Sequence, residues 1–182
     1  NLDQAIHKVE YDYEGVHYTQ TAFASHPAHV IVYHLAADTP EAISGRVWLT
    51  DMHGAQIKLD KNRIYSIGKM PNGFEYEAQL QVLHKGGEIK RAKEENDLKN
   101  PMSPIGLSFS KCNELTLILG AGTNFEQDFA KEWIGEHPHT RVTQQVDRAA
   151  SKSKNTLLAE HVEDFSSLFG RVSFDLGKTA DE

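Results

Sequence analysis

Ten histidines, 26 acidic side chains and a single cysteine are the groups through which this chain of 182 residues could do chemistry. His26 and His29 stand either side of Pro27-Ala28, and His137 and His139 bracket Pro138. A zinc site needs three or four ligands converging on one point. No periodicity places a third ligand beside either pair, so no metal site is assigned. His161 falls beside an apolar helical stripe, where packing or a solvent contact is the expected role. Carboxylates act as general acid and base when they are held against a reacting group in environments that tune them apart. Glu94, Glu95 and Asp97 instead share one polar stretch, and Glu160 and Asp164 stand four apart on a helix, so both sets read as solvated faces. Cys112 has no second thiol for a disulfide or a CxxC site, and no histidine is placed to activate it. Gly120-Ala121-Gly122-Thr123 lacks the lysine and the spacing of a phosphate loop, and reads as a strand-to-helix turn whose glycines supply unusual φ.

Charge narrows the partners. With 19 basic against 26 acidic side chains the net charge is -7 and the pI near 5.8, a field that repels phosphate backbones and anionic head groups. Neither nucleic acid nor a membrane surface is an expected partner. The cluster from Lys85 to Lys93 is interrupted by Gly86, Gly87 and Glu88, and reads as a solvated mixed-charge hairpin. No apolar run reaches the roughly 20 residues that cross a bilayer. Asn1 opens without the basic and apolar regions of a signal peptide, which is expected upstream if there is one.

The elements that must position these groups change character near residue 123. Before it, short alternating runs separated by turn residues predict strands: Val9–Tyr13, Val16–Ser25, His29–Ala37, Ile43–Thr50, Ala55–Leu59, Arg63–Gly68, Phe74–His84, Ile105–Phe109 and Glu114–Leu119. His29–Ala37 is apolar at both parities and suits a central strand covered on both faces. Asn72-Gly73 and Gly86-Gly87 are dipeptides that supply positive φ to tight hairpins. After Thr123 the period becomes helical. Asn124 with Gln127 resembles a capping pair, and Phe125, Phe129 and Trp133 recur every four residues up to Gly135. A second helix is predicted from Pro138 with Val142, Val146 and Ala149 on one stripe, and a third with Leu158, Val162, Phe165 and Phe169. Val172, Phe174 and Leu176 then alternate as a final strand or extended segment. Strands first and helices after is the reading of the architecture.

The run from Gly15 to Tyr33, with Phe23-Ala24-Ser25-His26-Pro27-Ala28-His29-Val30-Ile31-Val32 at its centre, resembles a segment of the N-terminal domain of family 95 glycoside hydrolases, the α-L-fucosidase type. Leu2-Asp3-Gln4-Ala5, Thr123-Asn124-Phe125, and the stretch from His161 to Gly177 through Leu168-Phe169-Gly170-Arg171-Val172 are similar to further segments of that family, in family order. The resemblance implies an antiparallel super β-sandwich of the galactose-mutarotase-like kind followed by a short α-helical linker. Residues 1–123 would be part of the N-terminal sandwich, and 124–182 the linker leading toward an (α/α)6 catalytic barrel that this chain does not contain. It further implies a bacterial, periplasmic or secreted parent that hydrolyses α-L-fucosides or α-L-galactosides of oligosaccharides with inversion, without a cofactor. The family's catalytic residues would lie in the barrel, so none is carried onto this chain, and the expected partners are that barrel and an oligosaccharide. Family strands preceding Leu2 would leave an open sheet edge along Ile6 to Tyr13, through which copies could pair into a homo-oligomer. The alternative is a stand-alone carbohydrate-binding β-sandwich module. For it the aromatic platforms would be Trp48, Tyr65, Tyr76 and Trp133, with Trp48 the substrate-binding candidate to follow because Val47 and Leu49 point to the opposite face.

Overall fold

Period-two alternation folds the first two-thirds of the chain into strands, as the computed structural model shows over the residues it describes, 1–92, 105–175 and 177. These strands are β1 (His7–Tyr13), β2 (Val16–Ser25), β3 (Val30–Ala37), β4 (Ile43–Trp48), β5 (Gln56–Asp60), β6 (Arg63–Lys69), β7 (Glu75–Lys85), β8 (Glu88–Ala92), β9 (Gly106–Cys112) and β10 (Glu114–Thr123). Two helices follow, α1 (His139–Ala150) and α2 (Lys154–Phe169). All pairings are antiparallel, in a seven-stranded sheet ordered β1-β2-β3-β10-β7-β6-β5 and a three-stranded sheet ordered β4-β9-β8. The architecture is thus the expected mainly-β sandwich with a short helical part.

The large sheet is the middle of three layers, because both of its faces carry apolar side chains that need cover. On one face Phe23, Val30, Val32 and Ile118 meet Val142, Val146 and Ala149 of α1 and Leu157 of α2. On the other, Ile64, Leu80, Val82 and Leu115 meet Ile43, Leu107, Phe109 and Cys112 of the small sheet. Each such Val, Leu, Ile or Phe contributes about 1.5–3 kcal/mol by leaving water. Ser153 caps α2 through Oγ, which accepts from the Thr156 backbone N–H at 3.0 Å.

Several expectations are corrected by this packing. β3 lies between β2 and β10 as a central strand should, but it is not covered evenly on both faces: Val30 and Val32 are buried under the helices while Ile31 is 50% exposed. Only at the Leu35 end does the strand join the second core. Gly86 and Gly87 both take positive φ (67° and 60°) between β7 and β8, whereas Asn72-Gly73 does so at Gly73 alone (91°). There the connection runs from Met70 to Phe74, closed by the Met70 N–H on the Phe74 carbonyl at 2.7 Å. Gly120 and Gly122 lie inside β10 without unusual φ. Their lack of a side chain serves helix docking, since a Cβ would come 2.7 Å from Val146 Cγ2 at Gly120 and 3.0 Å from Val142 Cγ2 at Gly122.

The helix expected from Asn124 to Gly135 does not form. Asn124 is clipped to β7, its N–H donating to the Glu75 carbonyl at 3.0 Å and its Oδ1 accepting from the Glu75 N–H at 2.9 Å. The Gly135 N–H returns to the Asn124 carbonyl at 2.7 Å, and Phe125 and Ile134 form an isolated bridge. The result is a closed loop holding one 3-10 turn, Phe129–Lys131. In α2 the buried side chains are Leu157 and His161, with Leu158 only partly covered and Phe169 51% exposed, so the predicted stripe is displaced by one position. Residues 172–175 carry no strand, Val172 and Phe174 are exposed, and Leu176 lies outside the described residues.

Candidate functional site

The strand β7 alternates Glu75, Glu77, Gln79, Gln81 with apolar neighbours, a pattern that ordinarily faces water. Here α1 lies over it, because Val142 and Val146 sit against β10 beside it, and the middle of the polar row, Glu77 and Gln79, is buried with Glu75 and Gln81 half-buried at its ends. Glu77, whose side chain has no exposed surface, receives His139 Nδ1 at 2.9 and 3.0 Å on its two oxygens and Gln79 Nε2 at 2.7 Å. Gln79 Nε2 also donates to Thr143 Oγ1 at 2.7 Å, and its Oε1 accepts from Arg63 Nη1 at 3.2 Å. Arg63 continues the row through Nε to Gln81 Oε1 at 2.9 Å and reaches Asp147 of α1 with Nη2. His137 Nδ1 stands 4.0 Å from Glu77, and the Tyr65 ring lies 6.4 Å from that of His139. The network leaves no buried side-chain polar atom without a partner among the described residues. Both oxygens of Glu77 are engaged, so the group anchors the first turn of α1 and presents no carboxylate to a pocket. Sequence reasoning missed it, since alternation alone reads the same for a row facing water and a row facing a polar helix flank.

The other candidates disperse. His26 and His29 meet edge to face at 5.7 Å, and His26 Nδ1 turns to Asp164 Oδ2 at 3.2 Å. Among the described residues no group of three or more His, Cys, Asp or Glu side chains could hold a metal ion. Glu160 pairs with Lys152 at 2.7 Å, so the helical carboxylates Glu160 and Asp164 answer to different partners. Glu94, Glu95 and Asp97 lie outside the described residues. Cys112 is buried, which pushes its thiol pKa up and away from the reactive thiolate. His161 Nε2 bonds the Gln4 carbonyl at 2.9 Å and its ring stacks on Phe23 at 5.0 Å, a packing role.

The four aromatic candidates do not form one surface. Trp48 is 47% exposed on β4, while Val47 and Leu49 pack inward against the second core as expected. Tyr65 lies by His139. Tyr76 turns the other way, its hydroxyl donating to Asp51 Oδ2 at 3.0 Å. Burial and this bond push the Tyr76 pKa up. Burial also pushes the Asp51 carboxyl upward, but the Ala55 and His53 N–H groups and the Tyr76 hydroxyl outweigh it and hold the pKa below the usual range.

Trp133 gathers partners that were expected on a helix. In the loop 124–135 its ring lies parallel to Phe125 within 1° at 6.2 Å and edge-on to Phe129 at 6.2 Å, with Phe74 at 6.3 Å from Phe125. Phe125, Phe129 and Trp133 are 54%, 81% and 41% exposed. The turn that sets them has Glu132 and Trp133 consecutively in left-handed backbone, φ 53° and 65°. The only sequence signal was the spacing of the rings, which pointed to a helix instead.

A family model described as "Glycosyl hydrolase family 65, N-terminal domain" matches residues 1–128. Probable alpha-fucosidase A of Aspergillus oryzae is 24% identical over 195 aligned residues, which cover 100% of this chain and 25% of that protein. The protein of the same description from Aspergillus niger is 25% identical over 97% of this chain and 22% of its own length. Alpha-L-fucosidase 2 of Arabidopsis thaliana is 25% identical over 97% of this chain and 23% of its own. The chain spans about a quarter of the length of these curated relatives, two fungal and one from a plant.

Proposed function

The chain belongs to the family of glycosyl hydrolase family 65 N-terminal domains, and on that premise we propose that it is the non-catalytic scaffold of an inverting glycoside hydrolase acting on α-L-fucosides or α-L-galactosides of oligosaccharides. In this reading 1–123 belong to the sandwich and 124–182 to a helical linker toward a catalytic barrel, which the sandwich braces.

The observation that carries the reading is how the polar side chains are used. Inverting hydrolysis needs an acid and a base roughly 6.5–9.5 Å apart with room for water between them. The carboxylate buried among the described residues, Glu77, is instead tied to His139 and Gln79 and holds a helix on a sheet. The names of the relatives, all alpha-fucosidases, support the fucoside part of that substrate class. Incubating the purified chain with a fucosylated oligosaccharide is expected to release no free L-fucose. Release proportional to chain concentration, and retained through successive purification steps, would overturn the scaffold assignment.

A further inference from the structure

We propose that the loop 124–135 is a binding platform for the apolar face of a neutral pyranoside, a sugar contact beyond the scaffold role and independent of it. Phe125 and Trp133 are parallel at 6.2 Å between centroids, a separation that forces a sideways offset and leaves part of each ring face uncovered by the other. Phe129 stands edge-on beside Trp133 and is 81% exposed. The electron-rich faces of such rings attract the polarised C–H groups on one side of a pyranose, while hydroxyls at its rim need polar partners. The same loop carries Gln127 and Glu132, both exposed, to meet them.

The rings are held in advance. Asn124 is clipped to Glu75 on both sides, the Glu126 N–H bonds the Trp133 carbonyl at 3.0 Å, and the Trp133 N–H bonds the Asp128 carbonyl at 3.1 Å. Asp128 Oδ1 accepts from the Ala130 N–H at 2.9 Å, and Lys131 pairs with Glu126. Left-handed backbone is strained at a tryptophan and persists where surrounding structure enforces it. Here it fixes Trp133 alongside Phe125 with 41% of its surface exposed.

Charge selects the ligand class. Glu126, Asp128, Glu132 and Glu136 stand against the single Lys131 from 124 to 136, so an anionic sugar is repelled. The same interleaving of charges with rings disfavours a protein partner, since the centres of protein interfaces are depleted in Glu, Asp and Lys.

The chain has two tryptophans, so Trp48→Phe leaves Trp133 as the sole indole reporter. Titration of that variant with methyl α-L-fucopyranoside and methyl β-D-galactopyranoside is expected to give a saturable change in emission, with sodium glucuronate at least several-fold weaker. Phe129→Ala, at a position too exposed to threaten the fold, is expected to weaken the neutral sugars about tenfold, and Trp133→Ala to abolish binding read by calorimetry. Absence of a saturable response to any neutral pyranoside would overturn the proposal, as would equal affinity in Phe129→Ala. The intact parent protein supplies the further check: a Trp133 that is shielded from soluble quenchers and insensitive to sugar there marks the loop as an interdomain contact and also overturns it. None of these outcomes depends on hydrolytic activity.

Discussion

Glu77 shows how a residue with catalytic potential is committed to structure. Its removal leaves one N–H of the buried Gln79 amide without its acceptor, the other staying on Thr143, while His139, 53% exposed, can turn to water. Glu77→Ala is therefore expected to cost about 1–3 kcal/mol, the usual penalty for a buried group left unpaired, read as a lower urea midpoint at unchanged slope. His34 gives a prediction of opposite origin. Its ring is buried, with Nδ1 on Thr116 Oγ1 at 2.9 Å, and burial pushes its pKa down, assisted by Lys154 and Lys85 and opposed by Glu114. The folded pKa is then below the unfolded value of about 6.5, so as pH falls through that window the unfolded chain takes up a proton that the folded chain refuses, and stability is lost. Melting temperature should fall between about pH 8 and about pH 5, and the fall should shrink in His34→Asn. An equal fall in that variant would place the effect elsewhere. The sequence announced neither role, because burial of a histidine or glutamate in a strand depends on what covers the strand.

At the scale of elements most strands were legible, since alternation and turn residues report local backbone directly. What failed were features decided by contacts distant in sequence. The four-residue recurrence of Phe125, Phe129 and Trp133 imitates a helix, but Asn124 and Gly135 claim the backbone bonds that a helix would need. In α2 the apolar count passed over His161, which is buried because Phe23 and two backbone carbonyls receive it. Leu157→Ala is accordingly expected to cost about 2–5 kcal/mol, and Phe169→Ala, at a half-exposed site, almost nothing. Equal costs, measured by chemical unfolding, would restore the stripe read from the sequence. Gly120 tests the helix seat itself. Gly120→Ala drives a methyl to 2.7 Å from Val146 Cγ2 and should destabilise by about 1–3 kcal/mol, with partial recovery when combined with Val146→Ala.

For the whole molecule, the layer order followed from neither charge nor periodicity, because nothing local told which face of the large sheet the helices would take. Among the described residues the first strand, β1, pairs with β2 alone and presents its other side as an edge. Lys8, Glu10 and Asp12 put charge there while Tyr11 stacks on Tyr18 at 5.1 Å. We expect this edge to pair with that of a second copy at high concentration, giving a dimer by light scattering and slowed amide exchange from Ile6 to Tyr13. A strict monomer with fast exchange along that stretch would refute it. The bond from His161 to the Gln4 carbonyl joins groups 157 positions apart, and this has a consequence for how the protein is made. Ribosomes deliver β2 long before α2, so Phe23 waits uncovered on the growing chain until α2 has emerged. Closure of the helical layer is then a late, long-range step, and the nascent sheet is most exposed to mispairing and chaperone capture just before it.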